Sequence, residues 1–177
     1  PHESYPIVED ESGTFILSSK DLCMIQYIPE LFHAGVTAWK IEGRMKSPYY
    51  VAAVTRVYRE ALDRYCADPN TYVYDEKWLS ELEKVSHREY GAGFFFGNQG
   101  YHSQTTHPGN RYLKEYDYLG TIHNVLSDDM AEVVIKNRIL TNTSIEIMGR
   151  RLSEDFTQVL QDIRNESNES IEVAQVG

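Results

Sequence analysis

The chain has 177 residues, of which 41% are hydrophobic and 25% are charged. These proportions are typical of a globular protein and exclude a wholly disordered chain. The net charge of −10 argues against a free-standing nucleic-acid-binding protein, because such proteins are usually basic. No apolar run approaches the about 20 residues of a membrane-spanning helix. Two cysteines without metal-ligand spacing favour a reducing, cytoplasmic location.

The first part of the chain alternates short strands and short helices. Its predicted elements are a β-hairpin over 5–8 and 14–17, a helical turn over 22–26 after a Ser cap, a short helix over 29–34 and a strand over 36–41. Pro29 suits a first helical turn, and Gly35 suits the end of that helix. A helix followed directly by a buried strand is typical of an α/β unit.

Two amphipathic helices follow. Ser47 and Pro48 predict an N-cap and a first helical position, and the apolar spacing continues to about Cys66. The predicted buried face of this helix comprises Val51, Val54, Tyr58, Ala61, Leu62 and Tyr65. A second helix is predicted over 76–85, with Trp78, Leu79, Leu82 and Val85 as its apolar stripe. The polar stretch over 98–108 predicts a loop.

From Arg111 onward the pattern changes to all-β. Short alternating segments predict strands over 116–125, 131–135, 144–148, 156–163 and 171–176, which suits a small barrel or sandwich. The predicted division is an α/β part over 1–68, a linker helix and loop over 69–109, and a β domain over 110–177. Because one strand with its helices does not complete an α/β domain, we expect the chain to be a fragment of a longer protein.

Lys40 and Glu42 are the candidate catalytic pair. They alternate with Trp39 and Ile41 along the predicted strand, so the two charged side chains face one side and the apolar pair faces the other. A Lys and a Glu in the interior of an α/β fold are costly to bury unless they are paired. Spacing alone supports a buried structural ion pair equally well.

The residues after this pair predict an anion-binding site. Gly43 lets a ligand approach the backbone closely, and Arg44 and Lys46 precede the N-terminus of the helix capped by Ser47. Free N–H groups at a helix N-terminus attract phosphate or carboxylate, although surface cations would give the same pattern. The other candidate binding residues are Tyr50, Lys20, Asp21, His87 and Arg88.

Two of these pairs have simpler interpretations that the sequence favours. Lys20 and Asp21 suit a plain helix cap, and His87 with Arg88 suits the C-terminal end of a helix, where cations are favourable. The histidines show neither zinc spacing nor a Ser/His/Asp arrangement, so no metal site is predicted in this chain.

Several segments carry more specific motifs. They are GTFILSSKDLC over 13–23, IPEL over 28–31, KIEGRMKS over 40–47 with YYV over 49–51, SHR over 86–88 and GFFFG over 93–97. These motifs resemble the collagenase-like peptidase family, peptidase family U-32. The resemblance implies an α/β plus β architecture, in which the terminal part of a TIM-type (β/α) barrel, with residues 39–42 as its last strand, is followed by a small antiparallel β-barrel domain.

The resemblance also bears on cofactors and function. It implies an iron–sulfur cluster in the full-length protein, held by cysteines upstream of Pro1, and no cofactor in this chain, which is expected to be inactive by itself. Family members were first described as collagenase-like proteases, whereas better-understood relatives act in hydroxylation of RNA bases or of quinone precursors.

The charge pattern favours the RNA role. Residues 40–59 hold five basic residues and one acid, a local charge of +4 in an acidic chain. We therefore expect hydroxylation of a tRNA uridine, with tRNA or another RNA and an anionic small-molecule co-substrate as partners. A protease acting on a peptide substrate and a non-catalytic RNA- or protein-binding module are the alternatives.

Overall fold

The computed structural model describes residues 7–10, 13–16, 19–97 and 112–176. The loop predicted over 98–108 lies outside the described residues. The chain divides into two compact units, Pro1–Glu115 and Tyr116–Gly177. None of the helices in the described ranges has the length and apolar character needed to cross a membrane.

The first unit contains two strand pairs and three α-helices in its described part. Its elements are β1 (Ile7–Asp10), β2 (Gly13–Ile16), β3 (Asp21–Leu22), a 3₁₀ turn (Ile25–Tyr27), α1 (Ile28–His33), α2 (Pro48–Ala67), α3 (Glu76–Glu83) and β4 (Tyr90–Gly91). β1 and β2 pair antiparallel, with Ile7 opposite Ile16. This pairing confirms the predicted hairpin.

The parallel pair of β3 and β4 is not evident from local sequence. The helical turn predicted over 22–26 is wrong in its first half, because the backbone there pairs with β4 and the 3₁₀ turn begins only at Ile25. The N–H of Cys23 donates to the carbonyl of Gly91 at 2.9 Å, which extends the pairing beyond the strand. Contacts with a segment distant in sequence thus override a local helical preference.

Helices α1 and α2 begin and end as their cap residues predict. Gly35 follows α1 with a φ of 79°, a left-handed conformation that glycine adopts without strain. At the start of α2, the Ser47 Oγ accepts a hydrogen bond from the Tyr50 N–H at 3.2 Å, and Pro48 occupies the first helical position. Both helices therefore confirm predictions that depend on a few neighbouring residues.

The strand predicted over 36–41 is wrong. The segment has no regular secondary structure, and none of the strands in the described part of the chain pairs with it. Trp39 instead packs near the rings of Phe32 and Tyr58, with centroid distances of 6.0 and 6.2 Å. A strand needs a neighbour to satisfy its N–H and C=O groups. No TIM-type barrel is therefore present within the described residues.

The core of the first unit joins α1, α2, α3 and the 3₁₀ turn. Its buried apolar side chains are Met24, Ile25, Ile28, Leu31, Ala53, Val54, Val57, Ala61, Tyr65, Trp78, Leu82 and Val85. The predicted face of α2 is confirmed at Val54, Ala61 and Tyr65. Val51 is exposed, however, and Val57 is buried in its place, so the buried face is rotated relative to the prediction.

Arg56 links α2 to α3 through an ion pair. Its Nη2 lies 2.9 Å from the carboxylate of Glu81, which also accepts from the Lys84 ammonium at 2.6 Å. The Arg56 side chain is only 9% exposed, so this cation does not lie on a solvated helix face. Arg59, by contrast, pairs with Asp63 on the exposed side of α2.

The second unit is built from short antiparallel strands. They are β5 (Gly120–Val125), β6 (Ala131–Ile135), β7 (Ile139–Leu140), β8 (Ser144–Ile147), β9 (Phe156–Val159), β10 (Ile163–Arg164), β11 (Ser170–Ile171) and β12 (Val173–Ala174). They pair as β5–β6, β8–β9, β10–β11 and β7–β12, each a two-stranded ladder. The predicted all-β character is confirmed, but the described residues show no closed barrel.

Leu82→Ala tests the core assignment. Leu82 is buried on α3, whereas Leu79 on the same helix is only half-buried, so Leu79→Ala is the matched control. We expect Leu82→Ala to lower the free energy of unfolding by about 2 to 5 kcal/mol, and Leu79→Ala by less than half as much. Urea denaturation followed by circular dichroism measures both, and equal losses would contradict the packing described.

Tyr72→Phe tests the burial of the Tyr72 hydroxyl group, whose ring lies 5.9 Å from that of Trp78 between centroids. Burial, with a further contribution from Tyr74, raises the pKa of Tyr72 to about 12. The neutral phenol therefore contributes stability that is fully present below about pH 10 and is lost as the pH rises from about 10 to 12. We expect unfolding free energies of the wild type and Tyr72→Phe to differ in pH slope only in that window. Parallel curves would contradict the assignment.

Candidate anion-binding site

Asp21 and Arg88 form an ion pair that is supported by several hydrogen bonds. The Arg88 backbone N–H donates to Asp21 Oδ2 at 3.1 Å, and its guanidinium places Nε and Nη2 at 2.9 and 2.8 Å from Oδ1. The two side chains are 22% and 27% exposed, so the pair is partly shielded from water. The carboxylate holds Arg88 in place, which makes Asp21 a partner of a cation rather than a contact for an anion.

The β3–β4 ladder determines where this ion pair lies. The Asp21 N–H donates to the Glu89 carbonyl at 2.8 Å, so the start of β3 lies beside the chain that enters β4. The Lys20 ammonium is 3.3 Å from the Glu89 carboxylate, and its stem covers Gly91. The predicted helix cap at Lys20 and Asp21 is therefore wrong, and both charges have partners across the ladder.

Lys46 connects three separate segments. Its Nζ donates to the Ser86 carbonyl at 2.8 Å and lies over the rings of Tyr50 and Tyr112, 5.0 and 4.2 Å from their centroids. Burial lowers the pKa of the Lys46 ammonium, Asp21 opposes this shift, and Arg88 adds to it. The ammonium is thus partly shielded from water and lies near one negative and one positive side chain.

His87 lies beneath this position and is 4% exposed. Its backbone exchanges two hydrogen bonds with Leu113, at 3.0 and 2.7 Å, and its ring stacks on Tyr90 with centroids 4.2 Å apart. Its Nδ1 is 2.6 Å from the Arg88 carbonyl, which can only accept, so the proton lies on Nδ1. The predicted position at the C-terminal end of a helix is therefore wrong for His87, because α3 ends at Glu83.

The candidate catalytic pair lies on an exposed turn. The Lys40 ammonium and the Glu42 carboxylate are 3.7 Å apart, with side chains 86% and 69% exposed, so the expected interior position is wrong. Glu42 also accepts from the Arg44 N–H at 3.0 Å, and that bond, followed by the Lys40 charge, lowers the pKa of its carboxyl group. The catalytic role of the pair stays a prediction.

Gly43 serves the packing of this turn against α2. A Cβ atom at Gly43 would lie 2.8 Å from Val51 Cγ2, a distance that side chains do not tolerate. The Lys46 N–H donates to the Gly43 carbonyl at 3.0 Å, which closes the turn before Ser47. Gly43 therefore allows the turn to pack closely against α2, and this role does not require a ligand.

The charge of residues 40–59 is largely neutralised locally. Lys40, Arg56 and Arg59 each have a carboxylate partner. Within the described ranges, no carboxylate oxygen lies within 4 Å of the side-chain nitrogens of Arg44 or Lys46. These two cations of the segment are therefore the ones available to an anion, and the Lys46 side chain is held by the Ser86 carbonyl and two tyrosine rings.

Sequence reasoning missed two parts of this arrangement. Tyr112 covers Lys46 from a segment far along the chain, and no local pattern points to that contact. Tyr58 accepts from the Met24 N–H at 2.9 Å and donates to the Cys23 thiol at 3.8 Å. Burial raises the pKa of both Tyr58 and Cys23, so the thiol is a protonated packing group.

The two cysteines of this chain do not by themselves supply the four thiolates of an iron–sulfur cluster. An iron–sulfur cluster is generally held by four thiolates, and this chain has two cysteines. Cys23 lies against Tyr58, whereas Cys66 is exposed on α2. In the described part of the chain, neither belongs to a group of three potential metal ligands.

Comparison with known families agrees with the motifs. The model of peptidase family U32 matches residues 2–105, and the model of the peptidase family U32 C-terminal domain matches residues 114–177. The chain belongs to peptidase family U32. The resemblance inferred from the sequence is thereby confirmed, and the all-β unit corresponds to the family's C-terminal domain.

Relatives in this family carry two kinds of name. The tRNA hydroxylation protein P1 of Bacillus subtilis is 36% identical over 93% of this chain and 39% of its own length. The tRNA hydroxylation protein P of Escherichia coli is 33% identical over 98% of the chain and 37% of its own length. A collagenase of Porphyromonas gingivalis is 37% identical over 51% of the chain and 25% of its own length.

The chain thus spans less than two fifths of the length of these relatives. No solved structure matches it at a significant level.

A double-mutant cycle tests the pairing on which the site depends. Asp21→Asn and Arg88→Gln should show a coupling energy of about 1.5 kcal/mol or more, because several charge-assisted hydrogen bonds are lost together. The exposed pair of Arg59 and Asp63 is the matched control and should show a coupling close to zero. Unfolding free energies of the single and double variants measure both couplings, and equal values would contradict the assignment.

Proposed function

We propose that the full-length protein acts in tRNA hydroxylation and that this chain contributes an anion-binding part of its site. The main support is the similarity to relatives named tRNA hydroxylation proteins. These matches cover 93% and 98% of the chain and therefore include both units. A substrate of the tRNA class also agrees with the two available cations, because RNA is recognised largely through its phosphates. This function implies a cytoplasmic location.

We assign different roles to the predicted site residues. Arg44 and Lys46 contact a phosphate or an anionic small-molecule co-substrate, and Asp21 with Arg88 positions the segment that bonds Lys46. Lys40 and Glu42, whose charged groups lie in water next to Arg44, remain the proposed acid–base pair. The remaining predicted residues support this arrangement through the helix cap, the β3–β4 ladder and ring packing; they are Ser47, Tyr50, Gly43, Lys20 and His87.

We also propose that the full-length protein contains the two barrels that the family resemblance implies. The first unit would form the terminal part of a TIM-type barrel, and the parallel pairing of β3 with β4 is compatible with such a sheet. The second unit would complete a small β-barrel. Support comes from its many exposed apolar side chains, among them Ile122, Val134, Phe156 and Val159, which a larger assembly would bury.

An iron–sulfur cluster, if the full-length protein uses one, would draw its ligands from outside this chain. Two cysteines cannot supply four thiolates, and Cys23 is hydrogen-bonded to Tyr58. The proposed contribution of this chain's residues is to bind and orient an anionic group.

Mass spectrometry of tRNA tests the proposed function. A strain lacking the gene for this protein should lose hydroxyuridine from its tRNA, and the intact gene should restore it. Lys46→Met should restore clearly less, because the variant keeps a long side chain but removes the charge held over Tyr50 and Tyr112. Arg59→Ala, which removes a paired surface cation of α2, is the control and should restore hydroxyuridine fully.

The same strain distinguishes the alternatives. Unchanged hydroxyuridine after gene deletion would overturn the proposal. Cleavage of gelatin by the purified full-length protein, persisting after removal of trace proteases, would favour the peptidase that the family name and the collagenase relatives suggest. Full restoration by both Lys40→Ala and Arg44→Ala would instead favour a non-catalytic binding module.

A further inference from the structure

We propose that Lys46 and Tyr112 form a receptor for one nucleotide of the RNA, with a base stacked on the Tyr112 ring and a phosphate on the Lys46 ammonium. The inference rests on the proposed function and specifies how the RNA is held. It follows from three features of the structure: an accessible ring, a backbone that fixes the ring's position, and an ammonium with unused donors beside it.

The Tyr112 ring is accessible although it has a partner. The Lys46 Nζ lies 4.2 Å from its centroid, over one face, and the side chain is still 55% exposed. No other aromatic ring within the described ranges contacts it. A ring that is held on one side and open to water suits stacking of a base, because every nucleobase presents a flat π-face.

The position of Tyr112 is fixed by its neighbour in the chain. Leu113 exchanges two backbone hydrogen bonds with His87, and the His87 ring is buried against Tyr90. Tyr90 in turn donates its hydroxyl hydrogen to the Leu82 carbonyl at 2.8 Å, which ties this arrangement to the core. The ring is therefore presented by an ordered scaffold, so less conformational entropy is lost when a ligand binds.

The Lys46 ammonium has capacity for a further acceptor. It carries three N–H donors, and the Ser86 carbonyl is the one hydrogen-bond acceptor that the described residues place within reach. Lys46 and Arg88 bring two positive charges to this position, whereas Asp21 contributes a single negative charge. A phosphate monoanion would supply the missing charge and accept the remaining hydrogen bonds.

Cation and ring together indicate a nucleotide rather than a simple anion. Single-stranded nucleic acids are commonly bound by positive charge along the backbone and by aromatic rings under the bases. Stacking of this kind tolerates all four bases, so this receptor should bind RNA without choosing its sequence. Selection of the modified uridine would then depend on other parts of the full-length protein.

RNA binding by the full-length protein tests the inference. The probe is a short single-stranded RNA, followed by fluorescence anisotropy at several salt concentrations. Tyr112→Leu should weaken binding about tenfold, whereas Tyr112→Phe, which keeps the ring, should bind within about twofold of the wild type. Lys46→Met should lower the slope of log affinity against log salt by about one. Phe94→Ala removes an exposed ring elsewhere in the unit and should have no effect.

Competition distinguishes a nucleotide from its parts. A nucleoside monophosphate should displace the RNA at lower concentration than inorganic phosphate or the free nucleoside does. Wild-type affinity in Tyr112→Leu, or equal losses in the Phe and Leu variants, would overturn the inference. Displacement by inorganic phosphate as readily as by the nucleotide would show an anion site alone and would overturn it too.

Hydroxylation kinetics separate this inference from the proposed function. Tyr112→Leu should raise the KM for tRNA about tenfold with kcat nearly unchanged, because stacking contributes equally to the ground and transition states. A normal KM in an active variant would overturn the nucleotide receptor and leave tRNA hydroxylation standing. If the wild-type protein showed no hydroxylation activity, the proposed function would be overturned. The RNA-binding assay would still test the nucleotide receptor.

Discussion

The candidate site depends on the ion pair between Asp21 and Arg88. The Asp21 carboxylate accepts hydrogen bonds from both the backbone N–H and the guanidinium of Arg88. It therefore fixes the Arg88 side chain and also the direction of the chain that leaves α3. That direction presents the Ser86 carbonyl to Lys46 and turns His87 into the core. Charge-assisted bonds in a partly shielded position are stronger than those of surface pairs, which explains how one pair can organise several loops.

The local charge around Lys46 differs from that of the whole chain. Ten more acidic than basic residues would repel RNA at a distance. At short range the balance reverses. Among the described residues, no carboxylate oxygen lies within 4 Å of the side-chain nitrogens of Arg44 or Lys46, while Lys40, Arg56 and Arg59 are paired. Salt screens the long-range repulsion within about 8 to 10 Å, so a small positive area can bind phosphate on an acidic protein. Steering by net charge and binding by local contacts are thus separate properties.

The two units differ in how well their described residues are packed. The first has a packed aromatic and aliphatic core around Trp78, and it holds the candidate site on ordered backbone. The second has two-stranded ladders in which Ile139 and Ala174 are the buried apolar residues of the described part. Two-stranded ladders are marginal by themselves, so the second unit has less internal support than the first. The family name refers to peptidases, but function follows from the site and not from the family's fold.

Sequence alone determined the parts of this protein that neighbouring residues decide. Ser47 with Pro48 marks the start of α2, and the apolar spacing around Trp78 gives most of the buried face of α3, because caps and helical periodicity are local. The family is likewise readable from short motifs. Tertiary structure alone decided the rest: the chain over 36–41 has no strand partner among the described residues, Asp21 meets Arg88, and Tyr112 covers Lys46. Each of these outcomes depends on segments far apart in sequence. The free energy gained from strand pairing, an ion pair or ring packing depends on which partner the folded chain brings near.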